Sequence, residues 1–279
     1  MNRYLKLVHM EVHRFRWVLA VLMGITAISQ ISALIWTLTK ELSRRKEELP
    51  LNMGDSYLAP APDQLTFEWA VFNTQMWFIL PILACIGVLA LYVFFIWYRE
   101  WFGRHTFIYR LLVLPTARRN IYLAKVSAFL LFVFGFVSFQ LALLPVEKMI
   151  FKLVVPADQR ADSHIVDAIS RNQALVELIP RQFEQFLYYY GIGTIAVLAI
   201  FTAILLERSY RRMGILYGVL YLAGCVSAVM LPFFFLGVDN NFMYVYSNEM
   251  FVIELAMCVL VLSLSVWLGM RLLAKKITV

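Results

Sequence analysis

Six stretches of the chain are apolar with hardly a charge: 17–39, 76–98, 126–145, 187–206, 214–236 and 249–270. Runs of ~18 or more apolar residues mark membrane spans, because ~20 helical residues at ~1.5 Å each cross a hydrocarbon layer of ~30 Å. The pattern predicts an all-α membrane protein with six transmembrane helices. Ahead of the first span, "NRYLKLVHMEVHRFRW" repeats Leu5, Val8, Val12 and Phe15 at helical spacing, with Lys6, His9, His13 and Arg16 toward the other side. That predicts an amphipathic helix lying in the membrane interface.

Two of the connecting segments are long. The first, 40–75, opens charged and then carries Gly54, Pro60 and Pro62, which predict irregular or extended chain. The second, 146–186, contains "ADSHIVDAISRNQALVELIP". Asp162 or Ser163 is placed to cap a helix there, with Ile165, Ile169, Val176 and Ile179 as an apolar stripe and Pro180 as its stop. These segments read as a modest structured cap, too small to be a separate domain. The fourth and fifth spans are joined by seven residues, "ERSYRRM", so they pair as a tight antiparallel hairpin. Near the end of the fifth, Pro232 and Gly237 allow the helix to break early. The small-residue patch "YGIGT" at 190–194 reads as a place where helices approach closely. With no repeat and no low-complexity linker, 1–279 reads as a single transmembrane domain.

Composition agrees with the pattern: 62% of the 279 residues are hydrophobic and 15% charged, against about 45–50% and about 25% in soluble domains. The run Trp17–Thr39 is too long for the ~7–15-residue core of a cleaved signal peptide, so it is expected to stay as the first span. Cys85, Cys225 and Cys258 all fall within spans, where thiols behave as small apolar groups, and imply neither disulfide nor metal. Charge then sets orientation. With the amino terminus inside, the cytoplasmic segments 1–16, 99–125, 207–213 and 271–279 hold 16 Lys and Arg, and the outer segments 40–75, 146–186 and 237–248 hold 9 against 13 acidic residues. The positive-inside rule puts both termini in the cytoplasm. The net charge of +7 is accounted for by anionic lipid at that surface, with no need of nucleic acid.

Chemistry is sparse. No phosphate-binding G-x-x-x-x-G-K-[ST] loop and no G-x-S-x-G elbow occurs, and "HMEVH" at 9–13 lacks the H-E-x-x-H order of zinc proteases. Within the spans, the ionisable Glu254 and the amide Gln140 are the candidates for a substrate or partner contact. The chain is read as no enzyme by itself: a path or scaffold without a power source.

The most informative stretch is "EWFGRHTFIYRLLVLPTARRNIYLAK", Glu100 to Lys125, between the second and third spans. Arg104 to Leu114 forms a short amphipathic helix by pattern, with Phe107, Leu111 and Leu114 on one side and Arg104 and Arg110 elsewhere. Pro115 stops it, and Arg118 and Arg119 follow in the next turn. Such a helix across the membrane surface offers one face to lipid and the other to a soluble partner.

The order of an acidic residue, a glycine, L-L-x-L-P, arginine and then lysine resembles the permease subunits of type-two, exporter-like ABC transporters. The matching positions are Glu100, Gly103, Leu111, Leu112, Leu114, Pro115, Arg118 or Arg119, and Lys125. The resemblance implies that this segment is a coupling helix docking into a separate ATPase subunit, which alone would hold ATP and Mg. Glu100 would hold the helix to neighbouring basic groups, Gly103 would permit the bend, and Arg104, Arg118 and Arg119 would meet the partner. It further implies a second permease subunit, identical or homologous, and a place in the cytoplasmic membrane of a bacterium. Cargoes of the resembled class include peptide antibiotics and envelope lipids, and the long outer segment 146–186 suggests an outer-face specialisation. Two rival readings remain open: a sensor or immunity scaffold that binds a peptide or lipid at the outer face without moving it, and a membrane enzyme using Asp158, Asp162, His164 or Asp167.

Overall fold

The computed structural model describes residues 3–51, 64–101, 117–210, 213–236 and 247–275. Among these, regular structure is helical apart from an isolated bridge between Leu65 and Arg160. The helices are α1 (Arg3–Leu51), α2 (Phe67–Asn73), α3 (Gln75–Trp101), α4 (Arg119–Val154), α5 (Ile165–Arg171), α6 (Gln173–Leu178), α7 (Phe183–Phe186), α8 (Ile192–Ser209), α9 (Gly214–Leu236) and α10 (Ser247–Lys275). A π turn over Leu187–Gly191 joins α7 to α8. Six of these helical stretches are long and apolar enough to cross a membrane, and they fall on the six stretches predicted. Large apolar side chains such as Ile28, Leu80, Val219 and Trp267 stand exposed along them, which a lipid solvent tolerates and water does not.

The first helix departs from expectation. Instead of an interfacial helix, a span and a loop, one uninterrupted helix runs from Arg3 to Leu51. Before Pro50 the sequence contains no proline to stop it. In the stretch expected as loop, the Glu41 carboxylate accepts from Arg44 at 2.7 Å and from Arg45 at 3.0 Å, one turn on. Pairs at this spacing support a helix by about 0.2–0.5 kcal/mol each. The buried face at its start is also rotated from the expected stripe: Leu7, Val8, Glu11 and Phe15 are buried, while Leu5 is exposed.

Packing groups the chain into two compact units, one of Met1–Arg14, Leu89–Leu131 and Glu184–Val279, the other of Phe15–Val88 and Phe132–Phe183. The core of the second unit gathers Leu34 and Leu38 of α1, Phe67, Ala70 and Val71 of α2, Phe78 of α3, and Leu144 and Phe151 of α4, with Ala168, Ile169 and Leu175 from α5 and α6. Residues 64–75 and 155–183 thus fold onto each other. The Leu65 amide donates to the Gln159 carbonyl at 2.8 Å, the Ala161 amide donates to the Leu65 carbonyl at 2.9 Å, and Arg171 pairs with Glu68.

The single helix expected after Asp162 or Ser163 is two. Asn172 breaks it: its side-chain oxygen accepts from the Ala174 and Leu175 amides, starting α6 afresh, while its amide nitrogen donates to the Val71 carbonyl at 3.3 Å. Neither expected cap acts. Asp162 is exposed, Ser163 accepts from the Phe67 amide, and the Asp167 carboxylate accepts from the His164 amide at the head of α5. Of the expected stripe, Ile165, Ile169 and Ile179 join the core, and Val176 is exposed.

In the first unit α8, α9 and α10 pack together around Ile195, Ala199, Cys225 and Val261. On either side of the short α8–α9 connection the two helix ends lie close together, as its length predicts. A Cβ on Gly214 would lie 2.3 Å from the Glu207 carbonyl oxygen, so only glycine fits. The Tyr221 hydroxyl meets Ser265 at 2.6 Å and the Thr202 hydroxyl donates to the Ser265 carbonyl at 2.9 Å. Among the described residues nothing packs closely on the "YGIGT" patch: a Cβ on Gly191 or Gly193 would meet nothing within 4 Å.

Candidate functional site

The strongest concentration of charge lies in the first unit, where the start of α1, the end of α3 and the start of α4 meet. Glu11 projects from the buried face of α1, Glu100 from the last turn of α3 and Lys125 from the second turn of α4; each is at most 2% exposed. The Lys125 ammonium carries three donors and finds three acceptors: Glu100 Oε1 at 2.8 Å, Glu11 Oε1 at 3.0 Å and the Ile96 carbonyl at 2.9 Å. It also lies 5.1 Å from the centre of the Trp97 ring. Arg14 approaches Glu100 at 3.3 Å and Glu11 at 3.6 Å, and Arg99 lies 3.9 Å from Glu11.

Burying charge costs several kcal/mol per ion, which pairing offsets. Here the ion pairs hold three helices in one register, although Glu11 Oε2 and Glu100 Oε2 accept no hydrogen bond among the described residues. Beneath the network Trp97, Tyr122 and Phe201 are fully buried, with ring centres 5.8–6.5 Å apart.

Two further ties hold the same helix ends. The Tyr98 hydroxyl donates to Glu207, and the Arg208 guanidinium stacks on Tyr98 at 5.1 Å and Trp101 at 5.6 Å. These bind the end of α3 to the end of α8. Arg118 donates to the carbonyls of Leu273 and Ala274 at 3.4 and 3.3 Å, where α10 leaves its last carbonyls without intrahelical partners. The two chain ends that flank residues 102–116 are therefore each fastened to other helices.

Of the residues singled out from sequence, Glu100, Lys125 and Arg118 belong to this assembly, and Arg119 stands exposed at the head of α4. Gly103, Arg104, Leu111, Leu114 and Pro115 lie outside the described residues. Gln140 is buried, and its amide exchanges two hydrogen bonds with Gln30 at 3.0 and 3.2 Å. Glu254 is half-buried on α10.

Sequence reasoning missed Glu11, Glu207 and Arg208. The signal for Glu11 is its position on the face shared by Leu7, Val8 and Phe15, where a lone acid among bases calls for a buried cation.

Helices and charge distribution together define the class: a multi-pass α-helical membrane protein. Comparison with known proteins narrows it no further, since no family model, no characterised protein and no solved structure matches the chain.

Proposed function

We propose that the chain is the membrane-spanning subunit of an ATP-driven exporter, forming the substrate path and taking its power from a separate ATPase subunit. The observation that supports this reading best is the mounting of the 102–116 insert. Its entry is fastened through Glu100 to Lys125 and Arg14, and through Tyr98 and Trp101 to the end of α8. Its exit is fastened through Arg118 to the end of α10. A push on an insert held in this way reaches α1, α3, α4, α8 and α10 together, as a lever that biases a bundle between two states requires.

The ATPase subunit would dock on residues 104–119 from the cytoplasm, and two copies of this chain, or this chain and a homologue, would enclose the path. Peptide antibiotics and envelope lipids are the cargo classes that accompany the family resemblance, and the bacterial cytoplasmic membrane is the setting. Purification of the native assembly in mild detergent tests the reading. A soluble chain carrying a phosphate loop and hydrolysing ATP is expected to come with it; an intact assembly free of any such chain overturns it.

A second reading has its own support. Thr37, Lys40, Glu41, Ser43, Arg44, Glu47, Trp69 and Asn73 line an open cavity of about 490 Å³ in the second unit. A sensor that binds peptide or lipid there without moving it would show ligand binding but no ATP-dependent flux in reconstituted vesicles.

A further inference from the structure

One face of α4 carries Gln140, Leu144, Glu147 and Phe151, all buried. Residues three and four apart share a helix face, so Glu147 stands between Leu144 and Phe151, two members of the apolar core of the second unit. It is fully buried, and neither carboxyl oxygen has a hydrogen-bond partner among the described residues. Gln140, two turns earlier on that face, meets the same difficulty by pairing with Gln30. Glu147 has no counterpart.

Among the described residues, the charged groups on the surrounding elements are engaged elsewhere or exposed. Glu41 of α1 is held by Arg44 and Arg45, Glu68 of α2 by Arg171 of α5, and Asp167 of α5 by the His164 amide. Glu177 of α6 is exposed. On α4 itself, Lys148 donates to the Ser163 carbonyl and Lys152 lies 3.9 Å from Asp162. Residues 75–84 of α3 include no ionisable side chain.

An unpaired carboxylate in such a place costs far more than a neutral acid. Glu147 lies beyond the apolar stretch 126–145, and burial alone pushes its carboxyl up to about 8. A group raised in the packed state stabilises it fully below the ordinary carboxylate range of about 4.3 and loses that contribution as pH rises toward its own value.

We infer that Glu147 is a proton-binding site that governs the second unit: neutral, it lets the core close; on giving its proton to solvent, it draws water in and loosens the packing of α4 against α2 and α5. The site answers to pH alone and does not depend on the exporter reading.

Hydrogen exchange of the full chain in lipid nanodiscs, corrected for intrinsic rates, tests it. The opening constant of 144–155 and 165–175 is expected to rise about tenfold per pH unit between about pH 5 and 7 in the wild type, and to stay level in Glu147→Gln. Infrared difference spectra supply a second measurement that needs only the wild type. The carbonyl band of a protonated carboxylic acid should disappear between about pH 7 and 9. Equal exchange slopes in wild type and Glu147→Gln, or no such band titrating above the ordinary carboxylate range, overturn the proposal.

Discussion

Lys125 and Glu100 form an ion pair 2.8 Å long with almost no exposure to solvent, and Glu11 shares the same ammonium at 3.0 Å. One cation thus serves two carboxylates from two other helices. Lys125→Met leaves both acids in the interior with only the partly exposed Arg14, and for Glu11 the more distant Arg99, beside them, and removing one partner of a buried pair costs about 3–5 kcal/mol. The variant is expected to lose that much stability in thermal or denaturant unfolding in detergent. Adding Glu11→Gln and Glu100→Gln should restore most of it, because no stranded charge remains. A triple variant as unstable as Lys125→Met alone would show that packing, not charge, is what Lys125 supplies.

The amide pair Gln30–Gln140 allows a cleaner separation of the same two effects. Gln140→Leu leaves the Gln30 amide buried without a partner, at about 1–3 kcal/mol. The double variant Gln30→Leu/Gln140→Leu removes both polar groups and is expected near wild-type stability. A double-mutant cycle measures the coupling. Strictly additive losses would mean that the two amides do not depend on each other.

What the chain discloses by itself differs between its parts. The six spans are legible because an unbroken apolar run of that length has one economical solution in a bilayer. Glu100 is legible because it closes such a run beside a basic segment. The extension of α1 through residues 40–51 is hidden, since Glu41, Arg44 and Arg45 read as solvated loop until their i,i+3 and i,i+4 spacing is seen to close ion pairs on a helix. Glu11 is hidden by a shift of register, because a stripe through Leu5, Val8 and Val12 fits the pattern nearly as well as the buried one through Leu7, Val8 and Glu11. Glu147 is hidden for a tertiary reason: a carboxylate two residues past an apolar run looks solvated, and only the folding of 64–75 and 155–183 over it makes it interior.

Glycines in one helix answer differently to the same substitution. On Gly214 a Cβ would sit 2.3 Å from a backbone oxygen and 2.7 Å from the Glu207 Cα, neither of which yields as a side-chain tip does. On Gly224, also in α9, a Cβ would meet nothing within 4 Å. Gly214→Ala should therefore cost about 1–3 kcal/mol by forcing the backbone apart. Gly224→Ala should be neutral or stabilising by up to about 1 kcal/mol through helix propensity. Unfolding midpoints of the two variants moving in the same direction would count against this account of the α8–α9 turn.

Arg118 and Arg119 are adjacent, yet their surroundings assign them different work. Arg118 is spent on the carbonyls of Leu273 and Ala274. Arg118→Ala should lower the hydrogen-exchange protection of 270–275 by about 0.5–1.5 kcal/mol, whatever partner is present. Arg119 is exposed at the head of α4, so Arg119→Ala should leave that protection unchanged. Under the exporter reading the exposed arginine meets the ATPase subunit, and its loss should lower the stimulated ATP turnover of the reconstituted assembly several-fold, with membrane insertion intact. Arg118→Ala should lower turnover only as far as loosening α10 disturbs the mounting. Turnover unchanged in Arg119→Ala would remove Arg119 from the docking surface, and turnover unchanged in both variants would argue that force does not enter the bundle at this end of α4.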